Sequence, residues 1–234
     1  MTLDPTSNNF KENANQALAD KDLQSALNNL KGGLISNRKK AIEKLPEFEE
    51  LKDKAKKIKD EVFLNLDFYL EKFEMKAKEQ GGVVHWAEDS TEAKNIILNL
   101  LRSINAKTMT KGKTLISEEI GLNEFLLENG IEPIETDLGE YIVQIAGEKP
   151  SHILAPALHK TKDKVADLFH EIHGPLGYKE RQNSASALVA EARSVLRKRY
   201  LEADAGLTGG NFLIAETGST AIVTNEGNGD LTQS

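Results

Sequence analysis

Two lysines flank a glycine at Lys111-Gly112-Lys113, with Thr114 next and Ser117 three residues further on. Two ammonium groups beside unpaired backbone N–H donors at the start of a helix can hold a carboxylate or a phosphate. The spacing is not that of a Gly-rich phosphate loop, and a solvated loop carrying two lysines is the competing reading. A second candidate is Glu216, which ends the apolar run 212–215 just before Thr217-Gly218. A carboxylate at the margin of a core needs donors or loses its charge. Either the turn and Ser219 satisfy it, making it a turn-fixing residue, or it faces a ligand as an acid/base. His159 and Lys160 stand at the start of the helix predicted after the 151–156 run and could reach the same ligand. His170 and His173, in "HEIH", have metal-like spacing but no third ligand, so surface histidines are expected there. No metal site is predicted.

The elements that must position these residues follow from periodicity. From residue 83 onward, short apolar runs alternate with helical stretches. Strands are expected at 83–87, 106–110, 131–135 and 151–156, with helices between and after them. Asp89 or Ser90 should cap the helix over 90–104, and Ser117 the helix that Gly130 closes. This rhythm implies an α/β fold of three layers, a mostly parallel sheet covered on both faces. Ligands of such sheets collect at the carboxyl ends of the strands, which is where Lys111 and Lys113 fall.

Near the end, 211–226 breaks the rhythm and reads as an antiparallel hairpin appended to the sheet. A two-residue turn at Thr217–Gly218 would set Glu216 opposite Ser219 and Ile214 opposite Ala221. Both faces of that hairpin are apolar enough to be buried.

Before residue 81 the texture differs: polar, Lys/Glu-rich and without strand-like runs. Leu23, Leu27, Leu30 and Leu34 recur at helical spacing, interrupted near Lys31–Gly33. A second stripe (Leu51, Ala55, Ile58, Val62, Leu66, Tyr69, Phe73) predicts one helix of roughly 45–50 Å at ~1.5 Å per residue. It is either a docking arm for a partner or a helix packed along its own domain. The expected division is therefore a helical extension over 1–80 and an α/β domain over 81–234.

Composition narrows the function. A net charge of -7 over 234 residues argues against a nucleic-acid partner. No apolar stretch is long enough to span a bilayer and no secretory signal opens the chain, so a cytoplasmic protein is expected. Without cysteine the chain has neither thiolate nucleophiles nor cysteine-held iron–sulfur clusters. Dinucleotide and nucleophile-elbow fingerprints are also absent from the sequence.

The runs "EEIGLNE", "ETDLGEYIVQIAGE" with "APALHKT", and "AETGS" with "VTNEGNG" carry a resemblance. They are similar to the LUD domain of the lactate-utilisation iron–sulfur protein B family, over nearly the whole chain. The resemblance implies a sugar-isomerase or CoA-transferase type of α/β fold. It implies a cytoplasmic protein that acts with companion proteins in oxidising L-lactate to pyruvate, and a small carboxylate ligand. Matching motifs implicate Lys111, Lys113, Glu118, Glu119, Asn123, His152, His159, Lys160, Thr208, Glu216, Thr217, Gly218, Asn225 and Glu226. With Thr114 added, Lys111, Lys113, His159, Lys160, Thr208, Thr217, Gly218, Asn225 and Glu226 are the binding candidates and Glu216 the catalytic one. Family members continue into a ferredoxin-like region whose cysteines hold clusters. The chain is thus expected to be a shortened or truncated member or half of a split protein, with no cofactor of its own. A sheet edge left unpaired in this way predicts self-association. The alternative function is a non-catalytic assembly module that docks partner subunits through the N-terminal helices.

Overall fold

A computed structural model describes residues 6–152 and 155–233. Helices α1 (Phe10–Ala19), α2 (Lys21–Leu30) and α3 (Ser36–Glu43) are followed by α4 (Phe48–Leu64), α5 (Leu66–Glu79) and α6 (Ser90–Ser103). Then come β1 (Thr108–Gly112), α7 (Leu115–Glu119), α8 (Leu122–Glu128), β2 (Glu132–Glu135) and α9 (Leu138–Ile145). The chain continues through α10 (Lys162–His173), α11 (Ala185–Glu202), β3 (Ala205–Thr208), β4 (Phe212–Ile214), β5 (Ser219–Ala221) and α12 (Asn228–Gln233). Two compact units result. The first holds residues up to Ala26, Trp86–Gly209 and Ile222 onward; the second holds Leu27–His85 and Gly210–Ala221.

The first unit is the α/β layer structure that the alternating pattern implies. Its sheet is parallel, in the order β2-β1-β3, with Lys111 level with Glu135 on one side and Leu207 on the other. On one face Met109 packs with Leu98 and Leu101 of α6 and with Leu122 and Leu126 of α8. On the other, Ile134 packs with Tyr141 and Ile142 of α9, Phe169 of α10 and Leu188 of α11. Helices on both faces bury apolar side chains that a sheet alone would leave wet, which makes this the main core.

Several expectations are corrected. Residues 83–87 form no strand, although Val83 and Trp86 are strand formers. The described residues of 151–156 form none either; Ile153 and Leu154 lie outside the described residues. The third strand is instead β3, whose short Gly-containing run carries little periodicity. The helix expected from Ser117 to Gly130 is two helices, because Gly121 turns left-handed (φ 66°) between them. Ser117 is therefore no cap: it lies inside α7, buried, and donates to the Thr114 carbonyl at 2.7 Å. Asp89 does cap α6, accepting from Thr91 and Glu92 N–H, each at 2.8 Å.

In the second unit the predicted long helix is broken at Asn65, whose backbone (φ -130°, ψ 38°) separates α4 from α5. Helix α4 buries none of its residues. The hairpin β4–β5 pairs only with itself, not with the parallel sheet. Its register is Ile214 opposite Ser219 and Phe212 opposite Ala221, so four residues, 215–218, make the turn instead of two. Glu216 consequently sits in an exposed turn and not at a core margin, and Phe212, Leu213 and Ile214 are exposed. A lone two-stranded sheet has no layer to cover it. Gly218 is required there: at φ 73°, an added Cβ would lie 2.3 Å from the Ala77 nitrogen in α5. Among the described residues, no helix is long and apolar enough to cross a membrane.

Candidate functional site

The carboxyl ends of β1 and β2 carry a dense charge cluster. Lys111, only 1% exposed, points its ammonium at Ser117 Oγ (2.7 Å), Glu135 Oε1 (2.7 Å) and the Glu118 carboxylate. Asn123 Nδ2 donates to Glu135 Oε1 at 2.8 Å and reaches Glu118 at 3.4 Å. Burial opposes the lysine's charge, but Glu135 and Glu118 outweigh it and hold the ammonium above the ordinary lysine range. Lys111 is thus charged and fully engaged from within.

Lys113 stands differently. Its backbone is left-handed (φ 56°), a strained conformation for a residue with a side chain. That turn sends the ammonium to the Asp137 carboxylate and to Asn225 Oδ1 at 2.9 Å. Asp137 is also the cap of α9, accepting from Gly139 N–H at 3.2 Å. Glu226 joins it there, its Oε2 accepting from Leu138 N–H at 3.2 Å. Asn228 lies deeper and donates to Thr136 Oγ1 at 3.4 Å. Gly112 makes this approach possible: a Cβ on it would stand 2.6 Å from Thr136 Oγ1 and 3.0 Å from Asn228 Nδ2. Three loops, 112–114, 136–138 and 224–228, therefore meet over the strand ends.

Three acceptor atoms in this region, Asn123 Oδ1, Glu135 Oε2 and Asn228 Oδ1, are buried without a hydrogen-bond partner among the described residues. Glu140, in the first turn of α9, is half-buried. Burial and the neighbouring carboxylates of Glu135 and Asp137 push its acid group up to about 8. It consequently holds its proton at neutral pH. A carboxyl titrating in that range can both donate and accept a proton under physiological conditions.

The predicted residues separate into groups. Lys111, Lys113, Thr114, Asn225 and Glu226 come together here, with Glu118 and Asn123; Thr208 is level with Gly112 across β1 and β3. His159 and Lys160 instead clasp Glu148, at 2.6 Å each, and His159 also bonds Ser151 at 2.8 Å. His152 is half-buried and Glu119 exposed. Glu216, Thr217 and Gly218 belong to the hairpin of the second unit. His173, expected at the surface, is fully buried: its Nδ1 meets Glu191 at 2.8 Å and its Nε2 meets the Tyr141 hydroxyl at 2.9 Å. Burial pushes that hydroxyl up to about 12. His170, on the outer side of α10, is exposed as expected.

The LUD domain family matches residues 70–234. The chain belongs to the LUD-domain family. It is 45% identical over 223 residues to the Lactate utilization protein B of Bacillus velezensis, covering 95% of this chain and 46% of that protein. The Lactate utilization protein B of Bacillus subtilis is 43% identical over the same extent of this chain. An "Uncharacterized electron transport protein" of Escherichia coli is 38% identical over 97% of this chain and 47% of its own length. This LUD-domain chain thus spans about half the length of the curated relatives it matches. No solved structure was found to match it.

Sequence reasoning did not single out Glu135, Asp137, Glu140 or Asn228. The first three lie in the run "ETDLGE", inside a matched family motif, and Asn228 in "NEGNG". Their burial and convergence are products of the fold; the three acids within "ETDLGE" are the sequence signal that could have pointed to the first three.

Proposed function

We propose that this chain serves lactate utilisation by holding a small carboxylate at the three-loop junction over β1 and β2. The observation that carries the reading is the convergence of Lys113 and Asn225, 112 positions apart, on the N-terminal turn of α9. A cation, an amide and a helix N-terminus together favour a carboxylate. Protonated Glu140 keeps the local negative charge low enough to admit one. In the whole protein this site would serve oxidation of L-lactate to pyruvate, together with companion proteins. The chain has no cysteine, so any thiolate-held cluster belongs to other parts of that assembly. Titration of L-lactate into the chain, followed by NMR, should shift the amides of residues 113, 138 and 225. Lys113→Ala should abolish those shifts; unchanged binding would defeat the reading.

A second reading has its own support. Of the stripe expected on 51–73, Leu51 is 44%, Ile58 65% and Leu66 42% exposed, so it is uncovered in large part. Exposed apolar stripes of this kind dock partners. We infer that α4 and α5 bind a companion lactate-utilisation protein. Co-expression with those companions should yield a complex on gel filtration that Ile58→Glu disrupts. A complex unaffected by the substitution would count against this role.

A further inference from the structure

The Glu226 carboxylate occupies the place at α9 where a ligand's carboxylate would bind. It accepts from Leu138 N–H at 3.2 Å, while its neighbour Asn225 holds Lys113 at 2.9 Å. Glu226 itself is exposed, so the contact is made by a side chain free to leave toward solvent. A helix start that already binds one carboxylate from the chain has the donors and the potential for another. Exchanging Glu226 for a ligand leaves the charge of the junction unchanged.

A second observation gives the ligand's chemistry. Two residues on, Asn228 is 4% exposed, and its Oδ1 has no donor among the described residues. Its amide nitrogen is committed to Thr136 Oγ1 at 3.4 Å, which fixes the oxygen as the free end. A buried acceptor left empty costs ~1–3 kcal/mol, so a donor arriving there is favoured. A small acid with a hydroxyl on the adjacent carbon supplies both groups at once: a carboxylate for Leu138 N–H and Lys113, and an O–H for Asn228 Oδ1. Movement of the 224–228 segment that frees Glu226 would also uncover Asn228.

We propose that Glu226 is a built-in stand-in for the ligand's carboxylate, and that a small 2-hydroxycarboxylate binds by displacing it. This rests on the small-carboxylate reading above and adds to it an internal competitor and a hydroxyl acceptor. Because the competitor must be expelled, apparent affinity is lowered by the fraction of time the site stands open.

The test uses the full chain with sodium L-lactate and sodium acetate as probes, measured by calorimetry and by the Leu138 amide shift. Glu226→Ala should bind L-lactate about tenfold more tightly than the unaltered chain, the gain expected when a closed state dominates. L-lactate should bind more tightly than acetate, and Asn228→Leu should remove that preference. Equal L-lactate affinity with and without Glu226 would overturn the stand-in role while leaving the carboxylate site in place. Equal affinity for L-lactate and acetate would overturn the hydroxyl assignment. Absence of binding in both the unaltered chain and Glu226→Ala would overturn this proposal and the carboxylate reading together. Glu226→Gln, which keeps length and removes charge, is the second variant, judged by the same criterion where Ala alters the circular dichroism.

Discussion

At the scale of residues, the most consequential feature is a lysine that cannot meet solvent. Lys111 sits between Glu118 and Glu135 and is 1% exposed, so its role is to hold the strand ends together. Lys111→Met should lose ~3–5 kcal/mol in chemical denaturation, because it leaves the buried Glu135 carboxylate without its cation. Glu140 predicts the pH dependence. Its acid group is raised from 4.5 in the unfolded chain to about 8 in the folded one. Between those values the folded state holds the proton more tightly, so stability contributed by this group falls as pH rises from 4.5 toward 8 and then levels. Glu140→Gln should flatten that slope and be roughly 2–4 kcal/mol more stable near pH 9, with allowance for screening of a half-buried group. A melting curve with the same pH slope in both proteins would refute the assignment. The sequence made Lys113, Asn225 and Glu226 visible through their motifs. It could not show that Lys111 and Lys113, two residues apart on a strand end, would have opposite fates. One is buried among acids below the strand ends; the other is turned by a left-handed backbone onto Asp137 and Asn225 at the loop junction.

At the scale of elements, legibility followed periodicity and length. Helices α6, α9, α10 and α11 were readable because each repeats apolar residues over several turns and opens on a side-chain cap. The strands were less so. Residues 83–87 have strand-forming side chains but no partner strand, while β3 has a partner and little side-chain signal. Pairing, which is non-local, decided both cases. The hairpin shows the same limit: its turn chemistry was recognised, but the register moved when four residues entered the turn. There Gly218 permits close contact with α5 within the second unit. Gly218→Val must both adopt a left-handed backbone and place a Cβ against Ala77, and should cost ~1–3 kcal/mol. Hydrogen exchange should speed up at β4, β5 and the end of α5. Unchanged protection there would mean that the turn and the helix do not depend on each other.

For the molecule as a whole, the two units bury their apolar residues to very different degrees. The α/β unit covers both faces of its sheet, and fully buried residues such as Phe169, Met109 and Leu122 lie there. The second unit leaves Ile58, Phe63, Leu64, Phe68, Phe212 and Leu213 exposed. Scattered exposed apolar residues are ordinary, but Phe63, Leu64, Leu66 and Phe68 fall within six positions at the α4–α5 junction. Each such side chain gains ~1.5–3 kcal/mol when fully buried. A chain kept apart from its partners therefore has reason to use a second copy of itself. The net charge of -7 opposes association at low ionic strength, and salt screens that repulsion over ~8–10 Å. Light scattering should accordingly show mass rising with protein concentration, and more steeply at high salt. The double substitution Phe63→Lys and Leu64→Lys should restore a monomer without changing the melting temperature, because neither side chain is packed within the chain. A monomer at high concentration and high salt in the unaltered protein would show that this apolar junction is not an association surface.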